Sequence, residues 1–146
     1  MVANHDNMLD AFCLCNERYF EGKLPIPLFD LLHSFRTCGY FHCDYEQGWF
    51  SKKLYNFSIS MTDYYDFTPK QFENILVHEM IHYYLAYFGI DKRCKHGRKF
   101  KEMAERLNRT YGLNVTKTLD ISQYKRRRGT SALSYWFAKN IGYEIL

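Results

Sequence analysis

An α+β fold is predicted by two kinds of patterning and by their order along the chain. Apolar residues recur at helical spacing near the N-terminus and again in two later segments. The stretch between them, Leu28 to Met61, is rich in aromatic and β-branched residues broken by turn chemistry. At 146 residues, with 47% hydrophobic and 18% aromatic content, the chain is sized for one domain over residues 1–146 and is unlike a disordered sequence.

The first helix is read from Met8, Leu9, Phe12, Cys15, Tyr19 and Phe20, with Asn4 or Asp6 as N-cap and Gly22 and Pro25 as the stop. Strands are expected over Leu28–Cys43 and Trp49–Met61, joined by turn residues Asp44–Gly48 into a small antiparallel sheet. Ile59 and Met61 alternate with Ser58 and Ser60, as in a strand with one buried face. Thr68-Pro69 opens a second helix, as N-cap and first-turn proline, and Gly89 closes it. A third runs from about Gly97 to Tyr111 with an inner stripe of Phe100, Met103, Ala104 and Leu107. The apolar tail containing Leu133, Tyr135, Trp136, Phe137, Ile141 and Ile145 reads as a helix or strand docked on the core.

The second helix carries His78-Glu79-Met80-Ile81-His82. Taking 100° per residue, His82 lies about 40° and Glu79 about 100° round the helix from His78, so two imidazoles and a carboxylate share one arc. Neutral imidazoles bind Zn²⁺, and a catalytic site needs three protein ligands and an open position for water, whose proton Glu79 would take. The third ligand is sought downstream. His96 extends the inner stripe of the third helix by one turn, about 40° from Phe100, whereas Glu102 and Glu105 project at least about 120° from it. Helix geometry therefore favours His96 over either glutamate.

Five cysteines, Cys13, Cys15, Cys38, Cys43 and Cys94, form an odd set with no Cys-x-x-Cys pair, and free buried thiols are expected. Cys94, two residues before His96, is an alternative ligand, although a small buried hydrophobe is the plainer reading. His5, His33 and His42 lack spacing to the motif and read as ordinary polar residues. Tyr83, Tyr84, Tyr87 and Tyr111 are all candidates for stabilising an oxyanion, among thirteen tyrosines that mostly serve the core or the surface.

Several segments, in order, resemble the SprT-like zinc metallopeptidase family, which includes the Spartan-type proteases that digest proteins crosslinked to DNA. They are Asn16-Glu17-Arg18-Tyr19-Phe20, Gly22-Lys23-Leu24-Pro25, Gly39-Tyr40-Phe41, Ile59-Ser60-Met61, His78 to His82, and His96-Gly97-Arg98-Lys99-Phe100. The resemblance covers roughly residues 10–116 and leaves a basic and aromatic extension over 117–146. It implies a zincin-like domain with an N-terminal helix, a small sheet and a metal-binding helix pair. It further implies His78, His82 and His96 as zinc ligands, Glu79 as catalytic base, and structural roles for the Asn and aromatics of the first helix. Many members continue into a cysteine zinc ribbon, whereas Thr118–Leu146 contains no cysteine.

The function expected is zinc-dependent peptide hydrolysis of DNA-associated or DNA-crosslinked proteins. The strand around Gly39–Cys43 would pair with an extended peptide. A non-catalytic, zinc-braced DNA-associated adaptor is the alternative. Net charge is only +4, but Lys92, Arg93, Lys95, Arg98, Lys99 and Lys101 crowd the segment of the third ligand, and Lys125, Arg126, Arg127 and Arg128 form a second cluster. Of these, Arg93, Lys95, Arg98, Lys99 and Lys125–Arg128 are the candidate nucleic-acid contacts, against a solvated charged face as the bland reading. The N-terminus lacks signal-peptide character and no apolar run approaches a membrane span, so a soluble cytoplasmic, nucleoid or nuclear protein without membrane contact is expected.

Overall fold

Asn4 and Asn7 start the first helix by capping each other. In the computed structural model, which describes residues 1–127, 129 and 143–144, the Asn4 side chain accepts from the Asn7 N–H and the Asn7 side chain from the Asn4 N–H, each at 2.9 Å. Helix α1 (His5–Tyr19) buries Met8, Phe12, Cys15 and Tyr19. Leu9, expected on that stripe, is 37% exposed because it lies a full 100° step beyond Met8, at the solvent edge. The chain leaves α1 through Glu21 and Gly22, both left-handed. There Asn16 Nδ2 donates to Leu24 O (2.8 Å) and the Leu24 N–H donates to Asn16 Oδ1 (3.1 Å), so this buried asparagine has a structural role.

Three strands follow: β1 (Leu28–Leu32), β2 (Gly39–Gln47) and β3 (Lys52–Thr62), in the spatial order β1-β3-β2. The β2–β3 hairpin is antiparallel as expected, but β1 runs parallel to β3, so the sheet is mixed. The reason is β3 itself. Ile59, Met61 and Thr62 are fully buried and Ser60 is nearly so, a strand covered on both faces that takes the centre and separates β1 from β2. The hairpin turn also differs. Residues 44–47 continue β2, and the chain reverses at Gly48–Ser51, closed by Gly48 N–H donating to Ser51 O (2.8 Å). Trp49 and Phe50, read above as strand, occupy that turn and are 98% and 100% exposed.

Helix α2 (Pro69–Tyr87) starts with a second reciprocal cap, Thr68 with Gln71, and Pro69 in the first turn. It is the central element, packed against β2, β3, α1 and α3 and buried almost all round from Ile75 to Ala86. Helix α3 (Arg98–Tyr111) buries the expected Phe100, Met103, Ala104 and Leu107 and ends at Gly112, whose φ of 69° makes the left-handed cap. Beyond it, Asn108 Nδ2 donates to Val115 O (2.9 Å) and accepts from the Val115 N–H at Oδ1 (2.8 Å), laying the chain back along α3.

Two small antiparallel pairs complete the described fold: β4 (Tyr65–Asp66) with β6 (Lys125–Arg126), and β5 (Thr118–Leu119) with β7 (Tyr143–Glu144). Leu133, Tyr135, Trp136, Phe137, Ile141 and Ile145 of the expected apolar tail, and Arg128, lie outside the described residues. Among the described residues no helix is long and apolar enough to cross a membrane.

Candidate metal centre

One turn of α2 separates His78 and His82, which places their rings 5.0 Å apart on the same side of the helix. His96 arrives from the loop before α3. Its Nε2 lies 2.9 Å from His78 Nε2 and 3.2 Å from His82 Nε2, so three ring nitrogens face a common point. A tetrahedral ion with bonds of about 2.0–2.1 Å holds its donors about 3.3–3.4 Å apart, close to this spacing. Phe100 floors the cluster, its ring centroid 4.6 to 4.9 Å from all three imidazoles. Among the described residues these three histidines are the group whose donor atoms converge as a metal requires.

The protonation state suits metal binding. His78 Nδ1 lies 2.8 Å from the Thr116 carbonyl, which can only accept, so Nδ1 carries the proton and Nε2 presents its lone pair to the cluster. Burial, with the His82 and His96 rings beside it, holds the His78 pKa well below the ordinary value. Burial and His96 pull His82 down to about 3 against the opposing charge of Asp91. Both are therefore neutral at physiological pH, the form that ligates. Asp91 is itself buried and accepts from the Arg93 N–H, Nε and Nη2 at 3.0, 3.1 and 3.2 Å, fastening the loop that delivers His96.

Glu79, between the two α2 histidines in sequence, is fully buried, and neither carboxylate oxygen has a hydrogen-bond partner. Burial raises its pKa well above the usual carboxylate range. The Phe41 backbone amide opposes this without making a hydrogen bond of ordinary geometry. A buried, unpaired carboxyl costs about 1–3 kcal/mol and persists where chemistry requires it. Gly39, the first residue of β2, makes room for it: a Cβ there would stand 2.6 Å from Glu79 Oε1 and 3.1 Å from Ile75 Cγ2. Three facing imidazoles form a donor set that fits a divalent ion, and the residue next to His78 in the same helix carries an unpaired buried carboxyl.

A family model, described as the SprT-like family, matches residues 9–119, more than half of the chain and all of this site. The chain belongs to the SprT-like family. Comparison with curated proteins and with solved structures returned no match. The matched segment runs from α1 to β5, and the basic cluster at 125–128 lies beyond it.

The structure brings His78, His82 and His96 of this SprT-like chain together as the sequence suggested. His96, however, precedes the helix instead of extending it, because Gly97 is the N-cap. Glu102 is exposed and shared between Arg98 (3.6 Å) and Lys99 (4.0 Å), and Glu105 is exposed. His33 pairs with Asp63 (2.9 Å) and His42 with Asp44 (3.4 Å), while His5 lies at the exposed start of α1. Tyr83 is buried and donates to Pro25 O (2.9 Å), and Tyr111 meets Tyr19 edge-on, which gives both structural partners. Tyr84 packs at a tilt against Phe20 and Phe88, and Tyr87 meets Phe57 edge-on. Of the thiols, Cys15 and Cys38 are buried, Cys43 and Cys94 half-buried, and Cys13 exposed, so the expectation of buried thiols fails where α1 turns Cys13 to solvent. Cys94 lies outside the donor group.

Several basic candidates are engaged in ion pairs. Arg93 holds Asp91, Lys125 pairs with Asp66 (3.8 Å) and Arg127 with Asp63 (3.2 Å). Lys95 is exposed on the loop before His96, and Arg126 lies in β6. Sequence reasoning missed the Thr116 carbonyl, Asn108 and Asp91. Only Asn108 carries a signal, an amide four residues before the glycine cap; a backbone carbonyl carries none.

Two predictions follow from this geometry. Gly39→Ala, by forcing a methyl group onto Glu79, destabilises the protein by about 1–3 kcal/mol in urea unfolding while leaving metal stoichiometry unchanged. The metal-free protein also loses stability as pH falls. His78 and His82 have folded values below 6.5, so the unfolded chain binds more protons below that pH, and the melting temperature drops from about pH 6.5 toward about pH 3.

Proposed function

We propose that this SprT-like protein is a zinc-dependent metallopeptidase. The observation that carries the reading is a group of three convergent imidazoles, His78 and His82 held neutral, together with a buried carboxyl on the same helix that has no hydrogen-bond partner. An all-nitrogen, three-donor group suits Zn²⁺ over the oxygen-seeking Mg²⁺ or Ca²⁺. When bound, the ion supplies Lewis-acid polarisation of a carbonyl and acidifies water. His78, His82 and His96 hold it, and Thr116 O keeps His78 in the ligating tautomer. Glu79 does the proton transfer. A cation alongside favours the carboxylate that burial alone disfavours, so Glu79 accepts a proton from the attacking water and returns it to the leaving amine.

The substrate enters along β2. This strand is an edge of the sheet, and its first residue, Gly39, touches Glu79. An extended peptide adds to such an edge through main-chain hydrogen bonds, which gives broad sequence tolerance. The zincin-like arrangement of sheet edge and metal helix belongs to this proposal. The non-catalytic alternative, in which the metal braces α2 against the α3 loop, calls for a fourth protein ligand. Among the described residues the convergent group has three. Substrates associated with DNA belong to the same reading, supported by the exposed basic residues Lys95, Arg98 and Lys99 next to His96.

Glu79→Gln keeps the metal and the fold and lowers hydrolysis of an unfolded protein substrate by at least about 10²-fold. His96→Ala loses zinc on dialysis, whereas Glu102→Ala retains it. Activity surviving in Glu79→Gln defeats the catalytic assignment. DNA binding is checked by titration across salt concentrations: replacing Lys95, Arg98 and Lys99 by Gln weakens affinity and flattens its salt dependence, and unchanged curves remove DNA from the substrate description.

A further inference from the structure

Cys43 and Cys94 take no part in the site as described, and they lie against one another. Cys43 stands where the β2–β3 ladder slips. His42 pairs with Ser58 and Asp44 with Tyr55, so the single residue Cys43 faces both Asn56 (φ 52°) and Phe57. Cys94 sits in the loop between α2 and α3 with a left-handed backbone, φ 53°, two residues before His96. Both side chains are half-buried, both are reduced, and the two thiols neighbour one another, with Cys94 Sγ also 4.0 Å from Lys92 O. An independent contact holds the same loop to the same hairpin: Lys92 Nζ donates to Lys52 O at 2.6 Å.

We propose that Cys43 and Cys94 form a reversible disulfide that ties the edge strand β2 to the His96 loop and slows loss of the bound metal. His96 is the one convergent donor not carried by α2, so departure of the ion requires this loop to move. A crosslink two residues away restrains that movement. With hydrogen peroxide as oxidant, the Cys43 thiolate attacks one peroxide oxygen. The O–O bond breaks, one water leaves, and a sulfenic acid forms on Cys43. The Cys94 sulfur then attacks the Cys43 sulfur, the S–S bond forms, the S–O bond breaks and a second water leaves. Two thiols lose two electrons and two protons, and the peroxide is reduced to two waters. Burial, with Asp44 adding to it, raises the Cys43 thiol against the opposing Cys94 thiol and Lys52 ammonium, so the first step is slow at neutral pH and quickens as pH rises. A small-molecule dithiol reverses the reaction by exchange.

The test uses the zinc-loaded full chain, treated with hydrogen peroxide, alkylated and mapped without reduction. The expected result is joint loss of Cys43 and Cys94 into one crosslinked peptide pair, with Cys13 still alkylated and both thiols recovered by dithiothreitol. Zinc transfer to a competing chelator is expected to be about threefold to tenfold slower in the oxidised form, and this difference disappears in Cys43→Ser. Separate oxidation of the two thiols, or a crosslinked protein that releases zinc as fast as the reduced one, overturns the proposal. Neither readout involves peptide hydrolysis, so this result and that of Glu79→Gln are independent.

Discussion

Three imidazoles, with the His96 Nε2 held against those of His78 and His82, are the constraint on which the rest of this molecule is arranged. Lone pairs at such separations do not attract one another, and only a shared proton or a cation makes the cluster favourable. The fold supplies the compression. Helix α2 is buried almost all round, so His78 and His82 cannot swing to water, and Phe100 closes the cluster from α3. The third ring comes from a loop anchored by Asp91 and Arg93, which sets its approach without a helix to carry it.

The same burial creates the second unusual group. A carboxyl with no hydrogen-bond partner opposes folding, and its persistence beside the histidines distinguishes this helix from an ordinary core helix. Gly39 shows that the sheet accommodates it: the strand begins beside Glu79 with a residue that has no side chain. Edge strand, carboxyl and metal ligands are thus coupled through a contact that a single methyl group would break.

Much of this was legible in the sequence because local chemistry decided it. The caps at Asn4 and Thr68, the stripe Phe100, Met103, Ala104 and Leu107, and the one-turn spacing of His78 and His82 each follow from neighbours within a few residues. Long-range decisions were not legible. That β3 sits between β1 and β2, making one pair parallel, depends on both of its faces being covered, which alternation alone does not reveal. Trp49 and Phe50 have strand-forming side chains, yet the hairpin carries its ladder to Gln47 and leaves them at the tip. His96 precedes the helix whose apolar stripe points toward it, so its inward direction comes from the Asp91-anchored loop and not from helical periodicity. The basic residues read as a patch, but pairing with Asp91, Asp66 and Asp63 depends on elements far apart in the chain.

The partner that orients His78 is a main-chain oxygen at position 116, held in place by the Asn108 amide through Val115. Any amino acid brings a carbonyl, so contact with the ring does not itself require threonine at 116, whose hydroxyl instead donates to Thr118 O (2.6 Å), whereas the length of chain between 108 and 116 is fixed by that contact. One residue inserted or deleted there would misplace the acceptor in a way that no substitution at Thr116 can, and the loss would be invisible to a comparison that scores side chains alone.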